Sequence, residues 1–104
     1  TSNRLTAISV MSVGAAAASV IAPTAAQAAT DALWDRIAQC ESGGNWHINT
    51  GNGYYGGLQF SAATWHSVGG TGLPSDHSRE EQIKRAKILQ ARSGWGQWSC
   101  AGAR

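Results

Sequence analysis

The sequence of 104 residues predicts an α+β fold, a small and mostly helical domain with a short β-hairpin and one disulfide bond. Two stretches carry the apolar spacing or the terminal residues that are typical of helices. Between them, an Asn-Gly pair with aromatic neighbours indicates the tight turn of a hairpin. Two cysteines, Cys40 and Cys100, complete the prediction. We expect the core of this domain to extend over residues 33–100.

Residues 1–28 have the layout of a secretory signal peptide. A basic residue precedes an apolar run over residues 5–22, and a small-x-small cleavage pattern ends at Ala28. A membrane anchor is the alternative, but the run is rich in Ala, is interrupted by Ser and Gly, and is only marginally long enough to span a bilayer. We therefore predict export, with residues 29–104 as the mature domain.

The first predicted helix has one face on which residues recur at spacings of three and four. The members of this face are Trp34, Ile37, Ala38 and Glu41. Gly43-Gly44 indicates where the helix ends. Glu41 thus extends an apolar stripe at the negative end of a helix, and both features favour the protonated acid that a proton donor requires. The alternative is an ordinary surface glutamate near a helix end.

The two cysteines are expected to form a disulfide bond, because an exported chain with an even cysteine count is typical of an oxidising compartment. Closing a loop of this span would constrain the unfolded chain by about 4 kcal/mol in the entropic model. Cys40 directly precedes Glu41, so the bridge would fix the backbone that carries the carboxylate. Cys40 as a nucleophile is the competing interpretation, and the even count argues against it.

No formally charged residue occurs from Ser42 to Ser75. This stretch is rich in Gly, Asn, Thr, Trp, Tyr and Gln, whose side chains stack on sugar rings or hydrogen-bond to hydroxyl groups without needing charge. Its candidate substrate contacts include Asn49, Tyr54 and Trp65. For Trp65, and for Trp46, a place in the core is an equal alternative. The other tryptophans, Trp34, Trp95 and Trp98, are expected in the core or around the disulfide.

The predicted hairpin has Gly51-Asn52-Gly53 at its turn, between two short stretches with aromatic residues. The same glycines, with Gly56, match the spacing of a dinucleotide-binding fingerprint. The chain has no room for the strand-helix-strand unit that this fingerprint needs, and no acidic residue lies at the required offset. We therefore interpret these glycines as turn residues only.

Two later helices are predicted from their termini. Ser61 is expected to cap a short helix that reaches about Val68. Ser78 and Glu81 form the pattern of a capping box at the start of a longer helix, and Gly94 indicates its end. Basic residues cluster on this longer helix, where glutamates four positions earlier neutralise part of them. These residues are Arg79, Lys84, Arg85, Lys87 and Arg92.

The composition also argues against several classes of protein. The net charge is only +2, and the basic residues lack the aromatic interleaving of a nucleic-acid surface. The histidines His47, His66 and His77 have no metal-ligand spacing, and no further cysteine could join them. We expect no bound metal ion, no cofactor and no nucleic-acid partner.

The motifs of the chain resemble the catalytic domain of the resuscitation-promoting factors of actinobacteria. The matching segments, within residues 34–100, are residues 40–46, 48–60, 64–65, 80–83 and 94–98. More distantly, Glu41-Ser42 and Gly57-Leu58-Gln59-Phe60 are similar to elements of lytic transglycosylases and goose-type lysozymes. The resemblance implies a lysozyme-like fold and a secreted, cell-wall-associated enzyme that cleaves peptidoglycan and acts in the growth or reactivation of dormant cells.

The resemblance also implies roles for single residues. Glu41 matches the catalytic glutamate, Thr64 a substrate-contacting threonine, and Gln59 a glutamine that lines the groove. The chain departs from the family at Trp98-Ser99-Cys100, where members commonly have Trp-Pro-x-Cys. The expected partners are the glycan strands of peptidoglycan, bound by a monomer, and a peptidoglycan endopeptidase is the protein partner considered.

The reaction type is predicted from the positions of the carboxylates. Glycosidases normally use two carboxylates at the scissile bond, yet the neutral stretch offers none beside Glu41. We therefore hypothesise that Glu41 protonates the oxygen between N-acetylmuramic acid and N-acetylglucosamine and then activates the muramic 6-hydroxyl, which gives a 1,6-anhydro sugar. A lysozyme-type hydrolysis of the same bond is the nearest alternative. A non-catalytic module that binds glycan or acts in signalling is the alternative from another class.

Overall fold

The computed structural model describes residues 24–104, which form three α-helices and three single-turn 3₁₀ helices. The helices are α1 (Ala25–Ser42), α2 (Ala62–Ser67) and α3 (Arg79–Ser93). The 3₁₀ helices cover Pro74–Asp76, Trp95–Gln97 and Ala101–Ala103. Most of the predicted signal peptide, residues 1–23, lies outside the described residues. Its last five positions, residues 24–28, hold the N-cap and first turn of α1.

Helix α1 ends where the sequence predicts, and it begins at Ala25, well before Trp34, the first residue of the predicted face. Thr24 and Gln27 form a complete capping box at its start, and the Ala-rich residues that follow have high helix propensity. The helix therefore continues through the predicted cleavage site at Ala28. At the other end, Gly43 adopts a left-handed conformation with φ of 69°, and the N–H of Gly44 donates to the carbonyl of Ala38.

The predicted β-hairpin is not confirmed, because no strand occurs within residues 24–104. Only two isolated bridges form, one between Asn49 and Tyr55 and one between Tyr55 and Phe60. Gly53 and Gly56 both have positive φ, 89° and 78°, so the chain turns on either side of Tyr55. With a turn on each side, the pairing cannot extend into a ladder, and the segment is held by single pairs instead.

The core forms where the three helices pack against residues 94–104, which we call the tail. Its buried apolar side chains are Trp34, Ile37, Ala38, Leu58, Phe60, Trp65, Val68, Ile83, Ala86, Leu89 and Trp98. The predicted apolar face of α1 is therefore confirmed. Trp98 meets Trp34 edge-on at 4.9 Å between ring centroids, and Trp95 lies 5.1 Å from Trp34. The expected position of these indoles in the core and near Cys100 is thus confirmed.

Helices α2 and α3 begin at the predicted caps. The hydroxyl of Ser61 accepts the N–H of Thr64, and that of Ser78 accepts the N–H of Glu81. The second half of the α3 capping box does not form, because the Glu81 carboxylate instead accepts a 2.8 Å hydrogen bond from Arg85. This pair is one of two i, i+4 pairs predicted on this helix; in the other, Glu80 pairs with Arg79 and not with Lys84. The Ser78 cap is therefore confirmed, and the predicted bond from the Ser78 N–H to the Glu81 carboxylate is wrong.

A buried glutamine of α3 fixes the segment that leads into the candidate site. The side chain of Gln82 is fully buried. Its Oε1 accepts the N–H of Gly57 at 2.9 Å, and its Nε2 donates to the carbonyls of Trp46 and His77 at 2.7 and 2.9 Å. A Cβ atom on Gly57 would collide with the Trp46 ring, so only glycine fits this close approach. One amide thus joins three segments of irregular backbone.

Residues 24–104 contain neither a membrane-spanning helix nor a cluster of metal-binding side chains. No helix in this range is both long and apolar enough to cross a membrane. Nor does the same range contain a cluster of three or more His, Cys, Asp or Glu side chains that could hold a metal ion.

Candidate active site

Two adjoining cavities form a groove between the neutral stretch and the tail. Both are lined by Tyr54, Gln59 and Gln97, so we treat them as one site. The Glu41 cavity, of about 390 Å³, is also lined by Glu41, Leu58, Gly96 and Ser99. The Thr64 cavity, of about 190 Å³, is also lined by Phe60, Ser61, Thr64, Leu89 and Trp98. The lining is rich in amides and hydroxyls and contains one charged side chain, Glu41.

Glu41 lies half-buried in the last turn of α1, and the tail holds one of its carboxylate oxygens. Oε2 accepts the backbone N–H of Cys100 at 3.0 Å and the hydroxyl of Ser99 at 3.3 Å. From residues 24–104, Oε1 accepts no hydrogen bond. The tail therefore orients the carboxylate through Oε2.

The disulfide bond between Cys40 and Cys100 is confirmed and ties the same two elements together covalently. It joins residues 60 positions apart, with 5.9 Å between their Cα atoms. Cys40 precedes the carboxylate in α1, and Cys100 supplies the N–H that binds this carboxylate. The bridge therefore fixes the acid from both sides, through the helix backbone and through the donor.

Ser42 connects the end of α1 to the opposite wall of the groove. Its hydroxyl lies 2.8 Å from the carbonyl oxygen of Gly57 and 3.0 Å from that of Ala38. Gly57 precedes Leu58 and Gln59, which line the Glu41 cavity. The hydroxyl thus sets the distance between the acid and this wall. No role for Ser42 was predicted from the sequence. A serine in the last turn of a helix often bonds to a carbonyl four positions earlier, as Ser42 does to Ala38.

Gln59 has an unusual backbone in this wall. Its φ is 55°, in the left-handed region that residues other than glycine rarely occupy. Such conformations cost on the order of 1–3 kcal/mol and concentrate at functional sites. The Nε2 of Gln59 donates to the carbonyl of Gly56 at 3.0 Å, which orients the amide at the junction of the two cavities.

Thr64 presents a hydroxyl to the smaller cavity. Its Oγ1 accepts the hydroxyl of Ser61 at 2.9 Å, while the Oγ of Ser61 accepts the N–H of Thr64. Because Ser61 supplies the proton of the bond between the two hydroxyls, the proton of Thr64 is available to a ligand. The cap of α2 therefore also orients a donor in the groove.

The structure brings together four of the six residues that the sequence marks as catalytic or substrate-binding. They are Glu41, Tyr54, Gln59 and Thr64. Asn49 is exposed and does not line the groove, and its Oδ1 accepts the N–H of Gly51. Trp65 is fully buried, and its Nε1 donates to the carbonyl of Thr71 at 2.9 Å. Its ring is part of the core and offers no face on which a sugar could stack.

Sequence reasoning missed the groove residues that the tail supplies. Gln97 lines both cavities, and Gly96 and Ser99 line the larger one. They reach Glu41 only because the tail folds back over α1, with 58 positions between Glu41 and Ser99. The predicted disulfide was the signal that could have found them, since it requires the residues next to Cys100 to lie near Glu41.

The remaining carboxylates lie away from the groove. Asp35 binds Arg79 through two hydrogen bonds of 2.7 and 2.8 Å, and these bonds raise the pKa of the Arg79 guanidinium. Further ion pairs join Asp31 to Lys87, Glu80 to Arg79, and Glu81 to Arg85. Asp76 is exposed at the end of the 3₁₀ turn Pro74–Asp76, whose other two residues are buried. All six carboxylate side chains of the sequence are within the described residues, and only Glu41 lines the groove.

Together these features define a small, disulfide-linked helical domain whose neutral groove holds one carboxylate. Residues 28–101 match the family model of the transglycosylase-like domain. The chain is 60% identical to the resuscitation-promoting factor Rpf of Micrococcus luteus over 85 residues, which are 82% of this chain and 37% of that protein. It is 51% identical to RpfC of Mycobacterium tuberculosis over 96 residues, which are 91% of this chain and 69% of that protein.

A third relative is the resuscitation-promoting factor RpfE of Mycobacterium tuberculosis, with 58% identity over 68% of this chain and 41% of that protein. The chain belongs to the transglycosylase-like domain family and, within it, to the resuscitation-promoting factors. The resemblance drawn from its motifs is therefore confirmed. For the Micrococcus protein and RpfE, the chain spans only about two fifths of the relative's length.

Proposed function

We propose that the chain is a secreted enzyme that cleaves the glycan strands of peptidoglycan and promotes the growth or resuscitation of dormant cells. The observation that carries this proposal is the position of Glu41, the one carboxylate in a groove otherwise lined by neutral side chains. Such a lining suits uncharged sugar rings that carry hydroxyl and acetamido groups. The family membership supports the same function.

We further propose a lytic transglycosylase reaction at the bond between N-acetylmuramic acid and N-acetylglucosamine. Glu41 gives its proton to the glycosidic oxygen while the bond from this oxygen to C1 of the muramic sugar breaks. The carboxylate then takes the proton of the muramic C6 hydroxyl, whose oxygen attacks C1. The products are a free 4-hydroxyl on the leaving sugar and a 1,6-anhydro ring, and Glu41 regains its proton. No second carboxylate is needed, because the substrate supplies the nucleophile.

Three side chains of the groove are proposed as substrate contacts. Tyr54 is half-exposed, so its ring offers a surface for stacking on a sugar. The Gln59 amide lies where the two cavities meet, and the Thr64 hydroxyl has a proton to donate in the smaller one. Gln97 faces both cavities from the tail and is proposed as a fourth contact.

The experiment is digestion of purified peptidoglycan by wild-type protein and by Glu41→Gln, with the products analysed by mass spectrometry. Glutamine keeps an oxygen that can accept the Cys100 N–H but cannot give up a proton, so cleavage should fall by about 10²- to 10⁴-fold. Asp76→Asn is the matched control, because it makes the same change from carboxylate to amide outside the groove. The wild-type products should end in 1,6-anhydromuramic acid.

Other results would separate the alternatives. Products with only reducing ends would refute the transglycosylase reaction and indicate the hydrolase. Equal cleavage by Glu41→Gln and wild type would refute the catalytic role of Glu41. Glycan binding without any cleavage by the wild-type protein would indicate a non-catalytic module. Addition of the same two proteins to dormant actinobacterial cultures tests whether resuscitation depends on cleavage.

A further inference from the structure

The two carboxylate oxygens of Glu41 have different surroundings. Oε2 accepts two hydrogen bonds, from the N–H of Cys100 and from the hydroxyl of Ser99, and Oε1 accepts none from the described residues. Both donors belong to the tail and not to α1. A single segment therefore sets the orientation of the carboxylate relative to the groove.

Ser99 is exposed, yet its neighbours on both sides are anchored. Trp98 is only 5% exposed and packs against Trp34 in the core. Cys100 is covalently bound to Cys40 in α1. The backbone of Ser99 is thus fixed at both ends, which keeps its hydroxyl near Glu41 without burial.

We propose that Ser99 is a positioning residue for Glu41. With the Cys100 N–H, its hydroxyl holds Oε2, so that Oε1 is the oxygen that exchanges protons with the substrate. It also donates to the carboxylate that forms when the proton passes to the leaving oxygen. This inference rests on the proposed function. It concerns a position where the chain departs from the Trp-Pro-x-Cys ending of its family.

Few other groups can influence this oxygen. Tyr54 is the other titratable side chain that lines the groove. The 3₁₀ turn packed against α1 is followed by one charged residue, Arg104, whose guanidinium lies over the Trp95 ring at 4.5 Å and donates to the carbonyl of Ala101. A change at Ser99 should therefore affect glycan cleavage mainly through Glu41.

The test is the steady-state kinetics of glycan cleavage by Ser99→Ala, with Ser99→Thr as the conservative variant and Ser93→Ala as the matched control. Ser93 is an exposed serine at the end of α3 and does not line the groove. Without the Ser99 hydroxyl, the Glu41 carboxylate loses one of the two donors that orient it. We expect kcat to fall by about three- to tenfold and KM to change less.

Threonine keeps the hydroxyl, so Ser99→Thr should restore the wild-type kcat, and Ser93→Ala should not alter it. A Ser99→Ala variant with the kcat and KM of the wild type would overturn the positioning role, as would a threonine variant that behaves like alanine. These failures differ from failure of the proposed function, in which Glu41→Gln itself would remain fully active.

Discussion

Removal of the Cys40–Cys100 disulfide should have a large effect on stability, and its size can be worked from the loop that the bond closes. The two residues are 60 positions apart. In the entropic model, opening a loop of this size frees the unfolded chain by about 4 kcal/mol. A domain below 80 residues rarely gains more than about 3–5 kcal/mol from its core. The variant Cys40→Ala/Cys100→Ala should therefore be close to its unfolding midpoint at room temperature.

Urea denaturation followed by tryptophan fluorescence measures this effect, since the buried Trp34 and Trp98 lie beside the bridge. The midpoint should fall to low urea concentration, and the m-value should rise because the unfolded chain without the cross-link exposes more surface. Wild-type protein reduced with a thiol should show the same shift and is the control for altered packing. A loss below about 1 kcal/mol, with an unchanged m-value, would refute the loop-entropy reasoning.

Two further predictions concern single side chains. Gln82→Leu leaves the three backbone groups that this amide binds without a partner in the interior, so the free energy of unfolding should fall by about 2–4 kcal/mol, measured in urea. Gln90→Leu, at a half-buried position of the same helix, should cost much less, and equal losses would contradict the role of the buried amide. Thr64→Val removes the groove hydroxyl, and the KM for glycan should rise by about five- to tenfold. Thr64→Ser should stay near the wild-type value, and a similar KM for both variants would exclude a contact through the hydroxyl.

The end of α1 and the starts of α2 and α3 were predictable because their signals are local. Gly43, Ser61 and Ser78 act on backbone groups within a few positions of themselves. The spacing of Trp34, Ile37 and Ala38 likewise needs only the helix period to indicate a buried face. These features depend on neighbours in sequence, so a single chain is sufficient to find them.

The features that were not predicted depend on distant partners. The bonds of Gln82 to Gly57 and Trp46 span 25 and 36 positions. The sequence left Trp65 open between the core and a substrate contact, because its burial depends on the loop that brings the carbonyl of Thr71 to its Nε1. The strands of the predicted hairpin do not form for a more local reason, because Gly56 adds a turn where a strand would have to continue. Only the cysteine pair gave a constraint between distant residues, and its predicted bond is present.

The distribution of charge bears on the choice between the two proposed reactions. Asp31 and Asp35 are held in ion pairs that join α1 to α3, so they serve the helix packing and not the groove. A lysozyme-type reaction by Glu41 alone would have to position and activate a water without a second carboxylate. The muramic C6 hydroxyl is already bound within the substrate, and well-oriented intramolecular groups can react as if present at about 10⁵ M or more. In the proposed reaction, Oε2 is occupied by donors from the tail, so Oε1 alone gives the first proton and takes the second. This order of proton transfers favours the muramic C6 hydroxyl over water as the nucleophile.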